Sequence, residues 1–130
     1  MNVIVIDGHG GGLGAALVKA VRSRRGDAHI IAVGTNSTAA AAMKKAGADE
    51  AASGENAIVI CCRKADVIVG PVACVIADSM LGEITPAMAA AVGSAAARRV
   101  LVPVNRCGTT IVGAGDKTVS ELVSLAAAEI

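Results

Sequence analysis

The chain has 130 residues, is 54% hydrophobic, carries a formal net charge of +1 from 12 basic and 11 acidic residues, and contains no Phe, Trp or Tyr. A near-neutral balance argues against a nucleic-acid partner or an anionic membrane surface, and the lack of aromatic rings leaves no side chain to stack on an adenine or a flavin. This length is ordinary for one domain and suffices to bury a core without disulfides or metals.

A continuous β-branched run over residues 2–6 predicts a strand buried on both faces. Leu13, Leu17, Ala20 and Val21 then recur at helical spacing. Arg22, Arg24 and Arg25 fall in the last turn of that helix, where cations complement the dipole, and Gly26 suits the position just past its end. Residues 30–33 predict a second buried strand. Asn36, Ser37 and Thr38 offer caps for a helix running to Lys45 and ended by Gly47. Residues 48–52 read as a short strand, Ser53 as the cap of a helix to Lys64, and residues 66–70 as another strand. Gly70-Pro71 breaks the chain, and residues 72–77 fit either a strand or a buried helical turn. Thr85-Pro86 opens a helix through MAAAVGSAAARR with proline at its first position; Gly93 in its middle points to close packing. Residues 99–104 form a strand, residues 109–112 an edge strand, and Thr118-x-x-Glu121 is a capping box for a last helix. The alternation predicts one α/β domain over residues 1–130: a three-layer, open, mainly parallel sheet of about five strands with helices on both faces. The strand order is left open.

In such a sheet, ligands bind outside the carboxyl ends of the strands. That edge collects the loop DGHGGGLG (Asp7, Gly8, His9, Gly10, Gly11, Gly12, Leu13, Gly14), then Thr35, Asn36 and Ser37, and finally Asn105, Arg106 and Cys107. A glycine loop between a first strand and a first helix suits a phosphate: one glycine turns the chain, another lets an anion approach, a third lets helix and strand pack. Gly8, Gly12 and Gly14 take these roles in order. The free N–H groups of residues 10–13 would hold the anion, helped by the helix dipole.

The spacing Gly8-x-x-x-Gly12-x-Gly14 resembles the cofactor loop of short-chain dehydrogenases over residues 2–21, which makes NAD or NADP candidate cofactors. The resemblance ends there. The Tyr-x-x-x-Lys of that family needs a tyrosine that this chain lacks. The end of the second strand, Val33-Gly34-Thr35-Asn36, offers neither the acid expected for a ribose nor an arginine for a 2′-phosphate. Over nearly the whole chain, the strings IDGHGGGLG, AVGTNSTA, GADEAASGENAI, DVIVGP, MLGEITPAMA and RRVLVPVNRC, in that order, resemble a family of short bacterial Rossmann-like proteins of unknown function. The resemblance implies that fold and a bacterial, cytoplasmic setting. It implies no activity and no catalytic residue.

The polar residues of this edge each carry two readings. Asp7 is either a turn residue accepting local N–H bonds or a group that orients His9 or holds Mg²⁺. His9 is either an exposed loop residue or a phosphate donor and acid–base group. Thr35, Asn36 and Ser37 either cap a helix or bond a ribose. Glu55 and Glu83 lie in glycine-containing loops, and Arg106 could clamp a phosphate or carboxylate. Cys61, Cys62, Cys74 and Cys107 show no CxxC spacing and no neighbouring histidine, so no metal site is assigned. MNVIVID lacks the features of a signal peptide, and the apolar run over residues 67–77 is too short to span a bilayer. A soluble cytoplasmic protein is expected, with an apolar content that points to a homodimer or higher homo-oligomer. The leading expectation is a small nucleotide- or phosphometabolite-binding protein. The alternatives are an enzyme whose site is shared between protomers and uses His9, Glu55, Glu83 or Arg106, and a structural protein with a vestigial loop.

Overall fold

The side chains of the first strand, β1 (Asn2–Asp7), divide between two cores. Val3 and Val5 join one buried cluster; Ile4 and Ile6 join the other. A strand with helices on both faces must place alternate residues in opposite cores, so the run reads as continuous apolar sequence and not as alternation. A computed structural model describes residues 1–104 and 106–130. Helix α1 (Gly12–Arg24) follows, then β2 (His29–Gly34), α2 (Ser37–Lys45), β3 (Glu50–Ser53), α3 (Glu55–Lys64) and β4 (Val67–Pro71). A 3₁₀ turn (Val72–Val75), α4 (Pro86–Ser94), β5 (Arg98–Val102) and α5 (Val119–Ala128) complete the described chain.

The five strands form one sheet in the order β3-β2-β1-β4-β5, and every pairing is parallel. Residues of α1, α2 and α5, such as Leu17, Val18, Val21, Met43 and Val123, bury against Val3, Val5, Ile30 and Val69 on one face. Ile58 and Cys62 of α3 and Met88 and Val92 of α4 bury against Ile4, Ile6, Val33 and Ile68 on the other. The sheet is therefore wholly parallel and the architecture has three layers. Chain order reverses between β1 and β4, so the crevice at the end of β1 is the place where such sheets bind ligands.

Several local expectations are confirmed by their caps. The Asn36 side chain accepts from the Ala39 amide, Thr85 from the Met88 amide with Pro86 following, and Thr118 and Glu121 make the reciprocal box. Residues 72–77 resolve to a 3₁₀ turn over their first part, and β3 lies where the short strand was expected.

Others are corrected. Helix α4 closes at Ser94, and Arg98 and Arg99 belong to β5, because pairing of Val67 with Arg98 forces the chain out of the helix early enough to enter the sheet. Gly93 has no atom within 4 Å of where a Cβ would stand, so no close packing explains it. Gly54, not Ser53, precedes α3, and no side chain caps that helix. Arg25 caps helix α1, which leaves Gly26 just past its end as expected, although Gly26 is not left-handed. Arg22, in the last turn of α1, does more than complement the dipole: it donates to the carbonyls of Gly26 and Ala28 and pairs with Asp49 at 2.6 Å. Residues 109–112 form no strand; Thr109 instead closes a turn onto the Arg106 carbonyl. Among the described residues, no helix is long and apolar enough to cross a membrane.

Candidate functional site

The loop after β1 is held shut by its own aspartate. Asp7, only 3% exposed, accepts the Gly8 amide on Oδ1 at 2.8 Å and the Gly14 amide on Oδ2 at 2.7 Å. Both carboxylate oxygens are used by backbone donors within seven residues, which is the turn role read from the Asp-Gly pair. Burial raises the Asp7 carboxyl above its usual value, and the two amide bonds only partly oppose that. It makes no hydrogen bond to His9, so the orienting role considered for it falls to another residue. Among the described residues no cluster of three or more His, Cys, Asp or Glu is placed to hold a metal.

The five glycines of the loop separate into two groups. Gly8, Gly11 and Gly14 are required by the protein itself. A Cβ on Gly8 would lie 2.8 Å from the Thr35 hydroxyl and 2.9 Å from Met80. Gly11 is left-handed at φ 75° and sits against the Ala39 backbone, 2.8 Å from where its Cβ would be. A Cβ on Gly14 would collide with the Met43 sulfur and stand 2.8 Å from the Asp7 Cβ, so bare backbone is what lets α1 pack onto β1 and α2. Gly10 and Gly12 differ. Neither has a left-handed φ, and a Cβ on either would meet no atom within 4 Å. The amides of Gly10, Gly12 and Leu13 donate to no described residue. Gly12 and Leu13 open the first turn of α1 and Gly10 lies just ahead of it, where unpaired N–H groups and the helix dipole favour an anion.

A second carboxylate enters this edge from the far side of the sheet. Residues 76–84, between the 3₁₀ turn and α4, pass over the end of β1 and set Glu83 against the ends of both β1 and β2. Glu83 Oε1 accepts from the His9 amide at 2.9 Å, the Thr35 hydroxyl at 2.6 Å and Asn36 Nδ2 at 2.9 Å; Oε2 stands 2.8 Å from His9 Nδ1. These donors, the Thr35 hydroxyl above all, hold its carboxyl below the usual glutamate value. His9 is left-handed at φ 49°, and that turn directs both its amide and its ring at the one carboxylate. Asn36 is fully engaged as well: Oδ1 caps α2, and Nδ2 reaches the His9 carbonyl as well as Glu83.

The strap that delivers Glu83 is strained and anchored. Asp78, Met80 and Leu81 all have positive φ (63°, 56° and 57°), a conformation that costs a non-glycine residue about 1–3 kcal/mol. Met80 and Ile84 are buried on either side, and the Ser79 hydroxyl donates to the Ala73 carbonyl at 2.8 Å. Burying two such side chains contributes about 1.5–3 kcal/mol each, which works against that strain.

Of the residues expected at the site, Asp7, Gly8, His9, Gly10, Gly11, Gly12, Leu13 and Gly14 form the loop. Thr35 and Asn36 contact it directly, at the Asp7 and His9 carbonyls, and through Glu83, and Ser37 stands exposed at the start of α2. Asn105 lies outside the described residues. Arg106 donates to the Pro103 carbonyl and shares no hydrogen bond with the loop, and Glu55 accepts from Thr85 instead of joining Glu83. His9 and Glu83 therefore meet within one chain, whereas Glu55 and Arg106 do not join them. Glu83 is the member that spacing alone could not assign to this crevice. Its signal was topological: β4 neighbours β1, so the segment after β4 has to leave the sheet beside the glycine loop.

An open parallel sheet with this strand order and a glycine turn after its first strand defines an α/β protein of the Rossmann-like class. Within that class, residues 2–130 match the family described as a domain of unknown function (DUF3842), and the chain belongs to that family. No curated protein and no solved structure matches the chain.

Proposed function

We propose that this chain binds a small phosphate-bearing molecule, with the anion on the amides of Gly10, Gly12 and Leu13 and NAD or NADP among the candidate ligands. The observation that carries the reading is the pair Gly10 and Gly12. Neither the backbone conformation nor the packing requires glycine at these positions, and both flank amides without an acceptor among the described residues. Bare Cα atoms beside free donors leave room for a group from outside the chain. The donor set suits a phosphate: three main-chain N–H groups at a helix start and no acidic side chain bonded to them. The residues thus fit the phosphate of a dinucleotide, which would supply the redox chemistry if one is bound. The chain's own contribution is to hold and orient that phosphate. The same reading takes the molecule as a homodimer or higher homo-oligomer, supported by its mean hydropathy of +0.62.

The test is thermal shift of the full chain against NAD, NADP, ATP, coenzyme A and sulfate. Stabilisation by at least one phosphate compound, rising with its concentration, is expected. No shift with any of them, sulfate included, overturns the reading.

A further inference from the structure

The sequence places no acid at the end of β2, yet the folded chain has one there. We propose that Glu83 is the ribose-recognising carboxylate of this site, so that the ligand is a nucleotide with free 2′- and 3′-hydroxyls and its 2′-phosphorylated form is rejected. The inference rests on the phosphate reading above and narrows its ligand class.

The geometry supports it in three ways. First, the position: Thr35 and Asn36 are the first two residues beyond β2, and Glu83 Oε1 is fixed to both, within 2.6 and 2.9 Å, and also to the His9 amide. The carboxylate thus lies between the ends of β1 and β2, adjacent to the free amides of the loop. Second, the available valence: Oε1 already accepts three bonds, but Oε2 has only His9 Nδ1, and the Glu83 side chain is 28% exposed. Each carboxylate oxygen offers about two lone-pair sites; three donors already share those of Oε1, and Oε2, which meets only one, is the oxygen that a further donor can reach. A sugar hydroxyl, which can donate, satisfies it; a phosphate oxygen cannot. Third, the charge: the start of α2 reads Ser37-Thr38, without a cation. Lys44 stands about 10 Å further along the helix and is spent on the carbonyls of Ala48 and Asp49. Arg22 is spent on Gly26, Ala28 and Asp49. A second phosphate here would face a carboxylate, with both Lys44 and Arg22 already engaged elsewhere.

Isothermal titration of the full chain with NAD and NADP, for wild type and Glu83→Gln, tests this. Wild type should bind NAD at least about tenfold more tightly than NADP, the loss expected when a hydrogen bond to a charged group is exchanged for repulsion. Glu83→Gln should bring the two affinities within about threefold, weakening NAD while relieving NADP. Equal or tighter binding of NADP by wild type overturns the inference, as does an unchanged ratio in Glu83→Gln. The wild-type ratio needs no variant, so the inference stays open to refutation even if Glu83→Gln folds poorly. A chain stabilised by sulfate but binding none of NAD, NADP and ATP keeps the phosphate reading and loses this one. A chain that binds no anion loses both.

Discussion

Gly12→Ala separates a glycine kept for a ligand from one kept for the fold. Gly12 is the first residue of α1, its φ is not left-handed, and a Cβ there meets no atom within 4 Å. The folded state therefore has no steric objection to alanine. The unfolded chain loses freedom, which stabilises by about 0.4–1 kcal/mol at a compatible site. For a chain of this size the melting temperature should rise by about 2–5 °C. Ligand binding should move the other way. The new methyl occupies the open side of the loop beside the Gly12 and Leu13 amides, where an anion has to come within about 3 Å of the nitrogens. Differential scanning fluorimetry gives the stability, and titration with the ligand that stabilises wild type gives the affinity, which should fall at least about tenfold, as for a charged hydrogen bond. Gly14→Ala is the internal control. Its methyl collides with Met43 and with Asp7, an overpacking that costs about 1–3 kcal/mol. A Gly12→Ala protein that is destabilised like Gly14→Ala, or that binds ligand as wild type does, refutes the reasoning.

Asp7→Ala should destabilise by about 1–3 kcal/mol in urea unfolding, because the amides of Gly8 and Gly14 lose their buried acceptors; a loss below about 0.5 kcal/mol would mean that water replaces the carboxylate. The Glu83 carboxyl is lowered in the fold, first by the Thr35 hydroxyl, so its contribution is complete above the usual glutamate value of 4.5 and is lost as pH falls through the lower folded value. Asp7 runs with the opposite sign, since a carboxyl raised by burial stabilises as it takes up its proton. Melting curves from pH 6 to 3 should therefore fall less steeply in Glu83→Gln than in wild type; identical slopes would remove Glu83 from the linkage. Exposed Cys107 should react with a maleimide ahead of half-buried Cys61. Buried Cys62, whose thiol is pushed up to about 11, and Cys74, raised further by complete burial, should react only on unfolding, as mass spectrometry of the labelled chain would show.

What the sequence makes legible here is what is decided within a few residues. The Asn36, Thr85 and Thr118 caps are local contacts between a side chain and an amide three residues on, and each was readable from residue type and spacing. So was the two-faced burial of β1, because it needs only a run of apolar residues. The end of α4 was not readable. Ala95, Ala96 and Ala97 are good helix formers, and the helix stops before them only because β5 must register with β4. The expected edge strand over residues 109–112 failed for a similar reason: Thr and Val favour strands only where a neighbouring strand and a buried face receive them, and Val112 is 94% exposed. In the loop, spacing identified Gly14 as a packing residue. It could not show that Gly11 rather than Gly8 takes the left-handed turn, nor that Gly8 is bare to admit Met80 and Glu83.

The delivery of an acid to β2 from a distant segment has a local cause at Asn36. A carboxylate at position 36 could still cap α2 by accepting from Ala39, since Asp and Asn cap about equally well. It could not donate to the His9 carbonyl, which Asn36 Nδ2 reaches at 3.0 Å. It would also lose the bond that fixes Glu83 and place two carboxylates side by side. The chain instead divides the work: Asn36 caps the helix and donates across to the loop, and Glu83 supplies the charge from residues 76–84. That division needs a strap with three non-glycine residues at positive φ, and it links the loop, the end of β2 and the segment after β4 through one side chain. A group that engages Glu83 therefore acts on the strap as well as on the loop. Leu81, 97% exposed at the crest of that strap, is where such a change would meet solvent.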